Sequence, residues 1–322
     1  MMRFSRLPRL VTATLGIFFL LATLAPLPYA IVLPGEAQNI FKGVITFKGL
    51  TNYPASGRID LMSIRVTNPD TWIFGPELVY SWISGDRAVY PKSAIYPAGT
   101  TAEEESKQAK ADMVKSQDTA IVAAVNYLQS HPEIMASTKA VGVERAQLLD
   151  TKKIKFKVGE TGGPSGGLVF SIGLVELLTE QDLLDGRHIA GTGTITERGV
   201  VGPIGGINEK IEGYFRSCES LGLDGQQGVL MPARNLRHLM LDEAVVQAVA
   251  QGRFHIHTAN TVGEGMAFLT GLPFGDEAAA LYAAESVLGR AQKKLQAFRR
   301  ACMALHAHAP VASPKRRVRL VR

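Results

Sequence analysis

Five of the nine residues from Gly159 to Gly167 are glycine, in the run Gly159-Glu-Thr-Gly-Gly-Pro-Ser165-Gly-Gly. An alternating stretch, Ile154-Lys-Phe-Lys-Val158, precedes it and an apolar stretch follows. Glycine reaches backbone conformations closed to other residues and lets a second backbone approach closely. The pattern predicts a strand, a tight turn, and a helix from about Gly166 to Thr179. A turn of this kind aims backbone N–H groups and the positive end of a helix dipole at the space in front of it. Ser165 puts a hydroxyl there, where acyl transfer needs an oxyanion stabilised.

The same turn does not suit phosphate. A P-loop needs Gly-Lys-Ser/Thr at its end, and no such lysine follows the glycines. Gly191-Thr-Gly193 lacks the third glycine of a dinucleotide fingerprint. An ordinary Gly-rich loop stays open on these residues alone.

A serine nucleophile needs a base. His188, His238, His255 and His257 fall in or near predicted regular structure without a supporting motif. His255-Ile-His257 hints at metal, but alternation on a strand with no third ligand favours surface or core roles. Lys210 is the other candidate. It closes Gly202-Pro-Ile-Gly-Gly-Ile-Asn-Glu-Lys210, in the first turn of a helix expected to run from Glu209 to Leu221 with Asn208 as its cap. A helix N-terminus disfavours a further positive charge, and partial burial adds to that, so the amine is set to lose its proton. Ile207, Ile211, Phe215, Cys218 and Leu221 form the expected buried stripe, with Lys210 at its edge. The alternative is a solvated surface lysine.

Elsewhere the patterning is mixed. Residues 43–48 and 59–66 alternate as strands, and the aromatic pairs Trp72 with Phe74 and Tyr80 with Trp82 sit at strand spacing. Ala102 to Gln129 reads as a long helix with three glutamates in its first turn and His131-Pro132 at its end. Past the Gly-rich turn come a strand at 188–195, a hairpin near Arg198-Gly199, a strand at 228–231, a helix around 234–250 and a strand at 253–258.

At the N-terminus Arg3, Arg6 and Arg9 precede an uncharged stretch from Leu10 to Gly35. It reads as a single-pass anchor through residues 10–33, with the N-terminus cytoplasmic and the rest of the chain outside the cell membrane. A cleaved signal peptide is the rival, opposed by Pro26 after the small-residue site Thr23-Leu24-Ala25. The net charge of +6 is lopsided: ten Lys/Arg and no acid follow Ser286, leaving 25 basic and 29 acidic residues before it. That tail reads as a solvated end, so no nucleic-acid partner is expected. Cys218 and Cys302 offer neither a disulfide framework nor metal spacing.

Taken together, Gly163-Pro-Ser165-Gly-Gly, Ala190-Gly-Thr192-Gly-Thr-Ile-Thr and Pro203-Ile-Gly-Gly-Ile-Asn-Glu-Lys210 resemble the proteolytic domain of the Lon protease family in order and spacing. The resemblance covers about residues 150–272. It implies an α+β fold, the Lon-type proteolytic domain of mixed sheets and helices, preceded by the transmembrane helix and a small strand-rich segment. The implied division is an anchor at 1–35, strands plus the long helix at 36–150, a peptidase at 151–290 and a basic tail at 291–322. By resemblance Ser165 is the nucleophile, Lys210 the general base, Thr192 the hydroxyl that orients the lysine, and Gly162, Gly163 and Ser165 the backbone donors to the oxyanion. No cofactor or metal is implied; protein or peptide substrates and a ring-like homo-oligomer are. Gly162 stands where many ATP-dependent members carry an acid, and Gly166 where alanine is common. A Walker A segment is missing, which implies ATP-independent cleavage of flexible or unfolded segments. The N-terminal half is similar to bacterial membrane-anchored Lon-like proteins, although about 25 residues after Leu128 leave no room for their usual PDZ domain. A membrane-tethered binding or assembly module with the same fold, and a nucleotide-binding enzyme, are the competing functions.

Overall fold

The computed structural model describes residues 8–50, 52–131, 153–179 and 182–270. The chain opens with α1 (Arg9–Leu24), β1 (Pro26–Leu27), β2 (Tyr29–Pro34), β3 (Gln38–Asn39), β4 (Ile45–Phe47), β5 (Arg58–Leu61), β6 (Ile64–Val66) and β7 (Ile73–Phe74). It continues with α2 (Gly75–Ile83), β8 (Ala88–Pro91), α3 (Lys92–Ile95), α4 (Ala102–Ser130) and β9 (Ile154–Phe156). Then come α5 (Gly167–Leu178), β10 (His188–Gly191), β11 (Thr194–Ile195), β12 (Val201–Gly202) and α6 (Ile207–Leu221). β13 (Gln227–Pro232), a 3₁₀ turn over Ala233–His238, α7 (Glu243–Ala250), β14 (His255–Ala259) and α8 (Val262–Thr270) complete it.

A five-stranded sheet ordered β14-β13-β10-β5-β3 forms the centre. β14, β13, β10 and β5 are parallel, and β3 joins antiparallel at the edge. One core joins residues of α4, α5 and α8 to Ile59, Leu61 and Ile189 of the sheet. A second joins Ile207, Ile211 and Phe215 of α6 and Val245 of α7 to Ala190, Val229 and Met231. Ile189 and Ala190 are neighbours on β10, so they point to opposite faces and place helices on both sides of the sheet. A smaller antiparallel sheet, β6-β2-β8, packs against α6. Mixed sheets and helices agree with the α+β expectation.

The strands expected to stand apart from the peptidase do not. β5 pairs along β10, Ile59 opposite Ile189 and Leu61 opposite Gly191, so the 36–150 segment supplies two adjacent strands of the central sheet, β5 and the edge strand β3. α4 lies along α5, whose twelve residues are all buried. An apolar sequence on every side of a helix demands such cover.

The N-terminal expectation is corrected. The helix stops at Leu24, and Pro26 and Pro28 deny it further backbone donors. Tyr29–Pro34 then pairs with β6 and β8, with Ala30, Ile31 and Val32 buried in protein. Sixteen residues rise about 24 Å against a hydrocarbon layer of about 30 Å. Among the described residues no helix is long and apolar enough to cross a membrane.

Three further expectations shift. Tyr80 and Trp82 lie on helix α2, not a strand, because Gly75-Pro76 begins a helix there: proline suits a first turn that needs no donor. The 59–66 strand breaks at Met62-Ser63, where Ser63 O accepts from Gly35 N and Ser63 Oγ donates to Glu36 O, both at 3.0 Å. The 234–250 helix divides into a 3₁₀ turn and α7, which Asp242 caps by accepting from Ala244 N. The tip before residue 8, the 132–152 stretch after α4, Cys302 and the basic tail lie outside the described residues.

α4 begins with a reciprocal cap. Thr101 Oγ1 accepts from Glu104 N at 3.3 Å, while Thr101 N donates to Glu104 Oε2 at 3.1 Å. Thr101→Ala removes half of that exchange and should lower the unfolding free energy by about 1 kcal/mol, read from urea titration by circular dichroism.

Candidate active site

Three segments distant in sequence meet at one point. The turn before α5 presents Ser165, the residue after β10 presents Thr192, and the first turn of α6 presents Lys210. Lys210 Nζ donates to Ser165 Oγ at 2.7 Å and to Thr192 Oγ1 at 3.1 Å. Thr192 Oγ1 itself donates to Ser165 O at 3.2 Å. The threonine proton is thereby committed, and its lone pairs face the amine. A neutral Lys210 gives one hydrogen to Thr192 and keeps its lone pair for Ser165.

The serine turn is gripped on two sides. Gly193 N donates to Ser165 O at 2.7 Å, and Leu168 N to Gly193 O at 3.0 Å, which joins the turn to the end of β10. On the other side α4 holds it: Ser116 Oγ donates to Pro164 O at 3.0 Å and Gly163 N to Ala109 O at 2.8 Å. Gly163 has a φ of 86°, a left-handed conformation costly for any residue with a Cβ. A Cβ at Gly162 would sit 2.7 Å from that of Ala109, and one at Gly166 would sit 2.5 Å from the Phe170 ring. The two departures from the family's usual residues thus have a packing cause: α4 and Phe170 fill the space a side chain would take.

The backbone-donor assignment needs one correction. The Gly163 N–H already serves Ala109 and is not free for an oxyanion. Gly162 N and Ser165 N have no hydrogen-bond partner among the described residues, and they remain available.

Lys210 is only 4% exposed. Burial drives its pKa down from the usual lysine range to about 7, because a charged ammonium loses its hydration there. Its place in the first turn of α6 works in the same direction. The expected Asn208 cap is not made. Gly206, in the left-handed region with a φ of 64°, holds the cap position, since a Cβ would sit 2.6 Å from Ile64 Cδ1. Asn208 instead secures the following turn, donating to His238 O at 3.2 Å and accepting from Met240 N at 2.9 Å. Of the expected α6 stripe, Ile207, Ile211, Phe215 and Cys218 are buried, whereas Leu221, at the helix end, is 86% exposed.

Buried Asn235 pins the loop before α6, its amide exchanging two hydrogen bonds with Ile204 at 3.0 and 2.9 Å. Tyr90 of β8 donates to Glu209 Oε1 at 2.8 Å, and burial followed by that carboxylate pushes its pKa to about 12. Ser116, Asn235 and the Tyr90–Glu209 pair were not foreseen. Ser116 carried a signal, a lone hydroxyl on the apolar stripe of α4 between Met113 and Ala120. His255 and His257 have other uses: His255 Nε2 meets Gly225 O at 2.9 Å, and His257 stacks on Phe268 at 3.8 Å.

Ser165 and Lys210 open onto a cleft of about 1360 Å³. Leu61, Ile64 and Met113 give it apolar wall, and Glu105 and Glu160 add carboxylates. Its volume exceeds the roughly 300–1,000 Å³ of small-molecule pockets.

A hydroxyl at a helix start, paired with a buried amine and opening on a large cleft, is an arrangement suited to serine–lysine acyl transfer. Residues 110–270, half of the chain, match the Lon protease (S16) C-terminal proteolytic domain, and the chain belongs to that family. A protein named as a Lon protease homolog in Escherichia coli (strain K12) is 36% identical over 118 residues, covering 37% of this chain and 20% of that protein. A Haemophilus influenzae protein named in the same way is 38% identical over 119 residues, with the same coverage of each chain. Lon protease 1 of Herpetosiphon aurantiacus is 40% identical over 93 residues, 29% of this chain and 10% of its own. The alignments thus span about a fifth or less of each relative's length.

The buried amine leaves a mark on stability. Its folded pKa of about 7 lies below the ordinary lysine value of 10.5, so between those values the unfolded chain binds more protons. Stability from this group therefore rises as pH climbs from 7 towards 10 and is lost as pH falls. Lys210→Met should remove that slope. Urea unfolding at pH 7 and pH 9 should show a gain for the wild type over the variant of about 1 kcal/mol or more.

Proposed function

We propose that this chain is a serine endopeptidase that cuts flexible or unfolded protein segments with a Ser165–Lys210 dyad. The observation that carries the reading is the 2.7 Å contact between Ser165 Oγ and a lysine amine held near neutrality by burial. Lys210 takes the Ser165 proton as Oγ bonds to the scissile carbonyl carbon. The N–H groups of Gly162 and Ser165 receive the oxyanion. Lys210 then gives its proton to the leaving amine as the C–N bond breaks. Water attacks the acyl-enzyme, Lys210 accepts its proton, and return of that proton to Ser165 Oγ releases the acid.

The size of the cleft supports an extended peptide as substrate. Cleavage without ATP is part of the same proposal, and membership of the Lon family supports a homo-oligomer. Membrane association through α1 belongs to the same proposal. None of its sixteen residues is buried, and Leu10, Ile17, Phe18, Phe19, Leu20 and Leu21 are all exposed. A helix apolar on every side and uncovered by protein is suited to lipid.

The full chain should cleave an unfolded protein without ATP, with cuts located by mass spectrometry. Ser165→Ala and Lys210→Ala should each lower the rate roughly 10³-fold or more with the circular dichroism spectrum unchanged. Cleavage surviving in either variant would overturn the dyad. Thr192→Val should lower kcat by about 10²-fold with little change in KM, since it misdirects the base rather than removing it.

The base works deprotonated, so the wild-type rate should climb with pH through about 7 and level off above it. A rate flat from pH 6 to pH 8.5 would exclude Lys210 as the titrating group. For the membrane part, the full chain should float with phosphatidylcholine vesicles on a density gradient; a chain that stays at the bottom would end that reading.

A further inference from the structure

The segment 72–83 shows a surface that the peptidase reading does not use. Trp72, Val79, Tyr80, Trp82 and Ile83 are all exposed, Trp82 by 81%. Phe74, just before α2, is partly exposed as well. Scattered apolar side chains on a surface are ordinary, but a cluster of this size marks an interaction site.

Its position indicates the partner. α2 begins where α1 ends: β1 pairs with β7, Pro26 opposite Phe74 and Leu27 opposite Ile73. A Cβ at Gly75 would lie 3.2 Å from Ala22 O, so the two helices meet through a glycine. α2 thus starts beside the end of α1, and both helices carry exposed apolar side chains. A protein partner covers one face of a helix. None of the α1 residues is buried, and beyond the approach of Gly75 to its last turn its apolar side chains stay exposed on all faces, as suits an apolar phase. Tryptophan and tyrosine beside such a helix match the chemistry of the membrane–water boundary, where an apolar ring meets headgroups and water. Arg87, ion-paired with Asp86, lies 5.0 Å from the Tyr80 ring centre and gives the same rim a polar edge.

We propose that α2 and the residue pair before it form a membrane-contacting rim, with Trp72, Phe74, Trp82 and Ile83 seated at the headgroup–acyl boundary next to α1. This rests on the membrane association proposed above. It carries a consequence for the active site. α2 leads directly into β8, whose Tyr90 lines the cleft and bonds Glu209, the neighbour of Lys210. Seating α2 on lipid fixes the cleft at a set height and tilt, so substrates would reach it from segments held close to the membrane surface.

The chain has two tryptophans, and both lie in this rim, so intrinsic fluorescence reports it directly. The full chain would be mixed with phosphatidylcholine vesicles brominated either near the headgroup end or at the tail end of the acyl chains. Flotation would be read in parallel. Emission should fall roughly twofold with headgroup-proximal bromine and clearly less with tail-end bromine. Trp72→Phe should leave a quenched signal from Trp82. The paired change Trp82→Ser and Ile83→Ser should weaken quenching of Trp72 while keeping peptide cleavage in detergent. Flotation without quenching would overturn the rim and leave the α1 tether standing. Quenching equal at both depths, or a blue-shifted and unquenched signal with a doubled mass by light scattering, would also overturn it, the latter assigning the surface to a second copy of the chain. Failure to float would remove the tether and the rim together, whereas cleavage would still be judged by its own assay.

Discussion

A primary amine buried against two hydroxyls is the arrangement around which the candidate site is built. In water the amine of Lys210 would hold its proton throughout the physiological range and could not accept another. Inside the protein, hydration of the ammonium is lost and only a few polar atoms replace it, which brings the pKa to about 7. Thr192 gives the amine a direction as well as a partner, because its own proton is committed to Ser165 O. The protein tolerates a group that would be more stable elsewhere, a common feature of sites where reactivity and stability conflict.

Holding that arrangement takes most of the fold. The Ser165 turn lies between α4, through Ala109 and Ser116, and the end of β10, through Thr192 and Gly193. Lys210 arrives on α6, set by the Ile204–Asn235 exchange and by the left-handed Gly206. Behind the turn, α5 is buried along its whole length and Phe170 occupies the space where residue 166 could carry a methyl group. β5, from the N-terminal half, runs beside β10 and completes the floor under the site. The segment before residue 130 is therefore structural material of the peptidase itself.

The N-terminal helices follow a different logic. α5 is apolar all round and is wrapped by protein; α1 is apolar all round and is left bare. The two helices have similar composition, and their difference lies in what surrounds them. The prolines after Leu24, and Gly75-Pro76 in the first turn of α2, turn the chain sharply on either side of the first small sheet. Those turns start α2 beside the end of that helix and leave its aromatic residues exposed instead of in the core.

Much of the local geometry of the candidate site is legible in the residues, because it is written in local chemistry. Glycines around Ser165 announced a tight strand-to-helix turn, and Pro203-Ile-Gly-Gly before Lys210 announced another. The long helix beginning near residue 102 and the buried stripe from Ile207 to Cys218 were visible as periodicity. What periodicity could not supply was pairing between distant segments. That β5 lies against β10, that Ala109 takes the Gly163 N–H away from any oxyanion, and that Gly206 rather than Asn208 starts α6 are outcomes of tertiary contact. The uncharged stretch from Leu10 to Gly35 makes the point most sharply. Composition reads it as one continuous apolar segment, yet its first part is an exposed helix and its last part a strand inside a sheet. Hydrophobicity determines that a residue avoids water; only the neighbours that the folded chain brings up decide what takes the water's place.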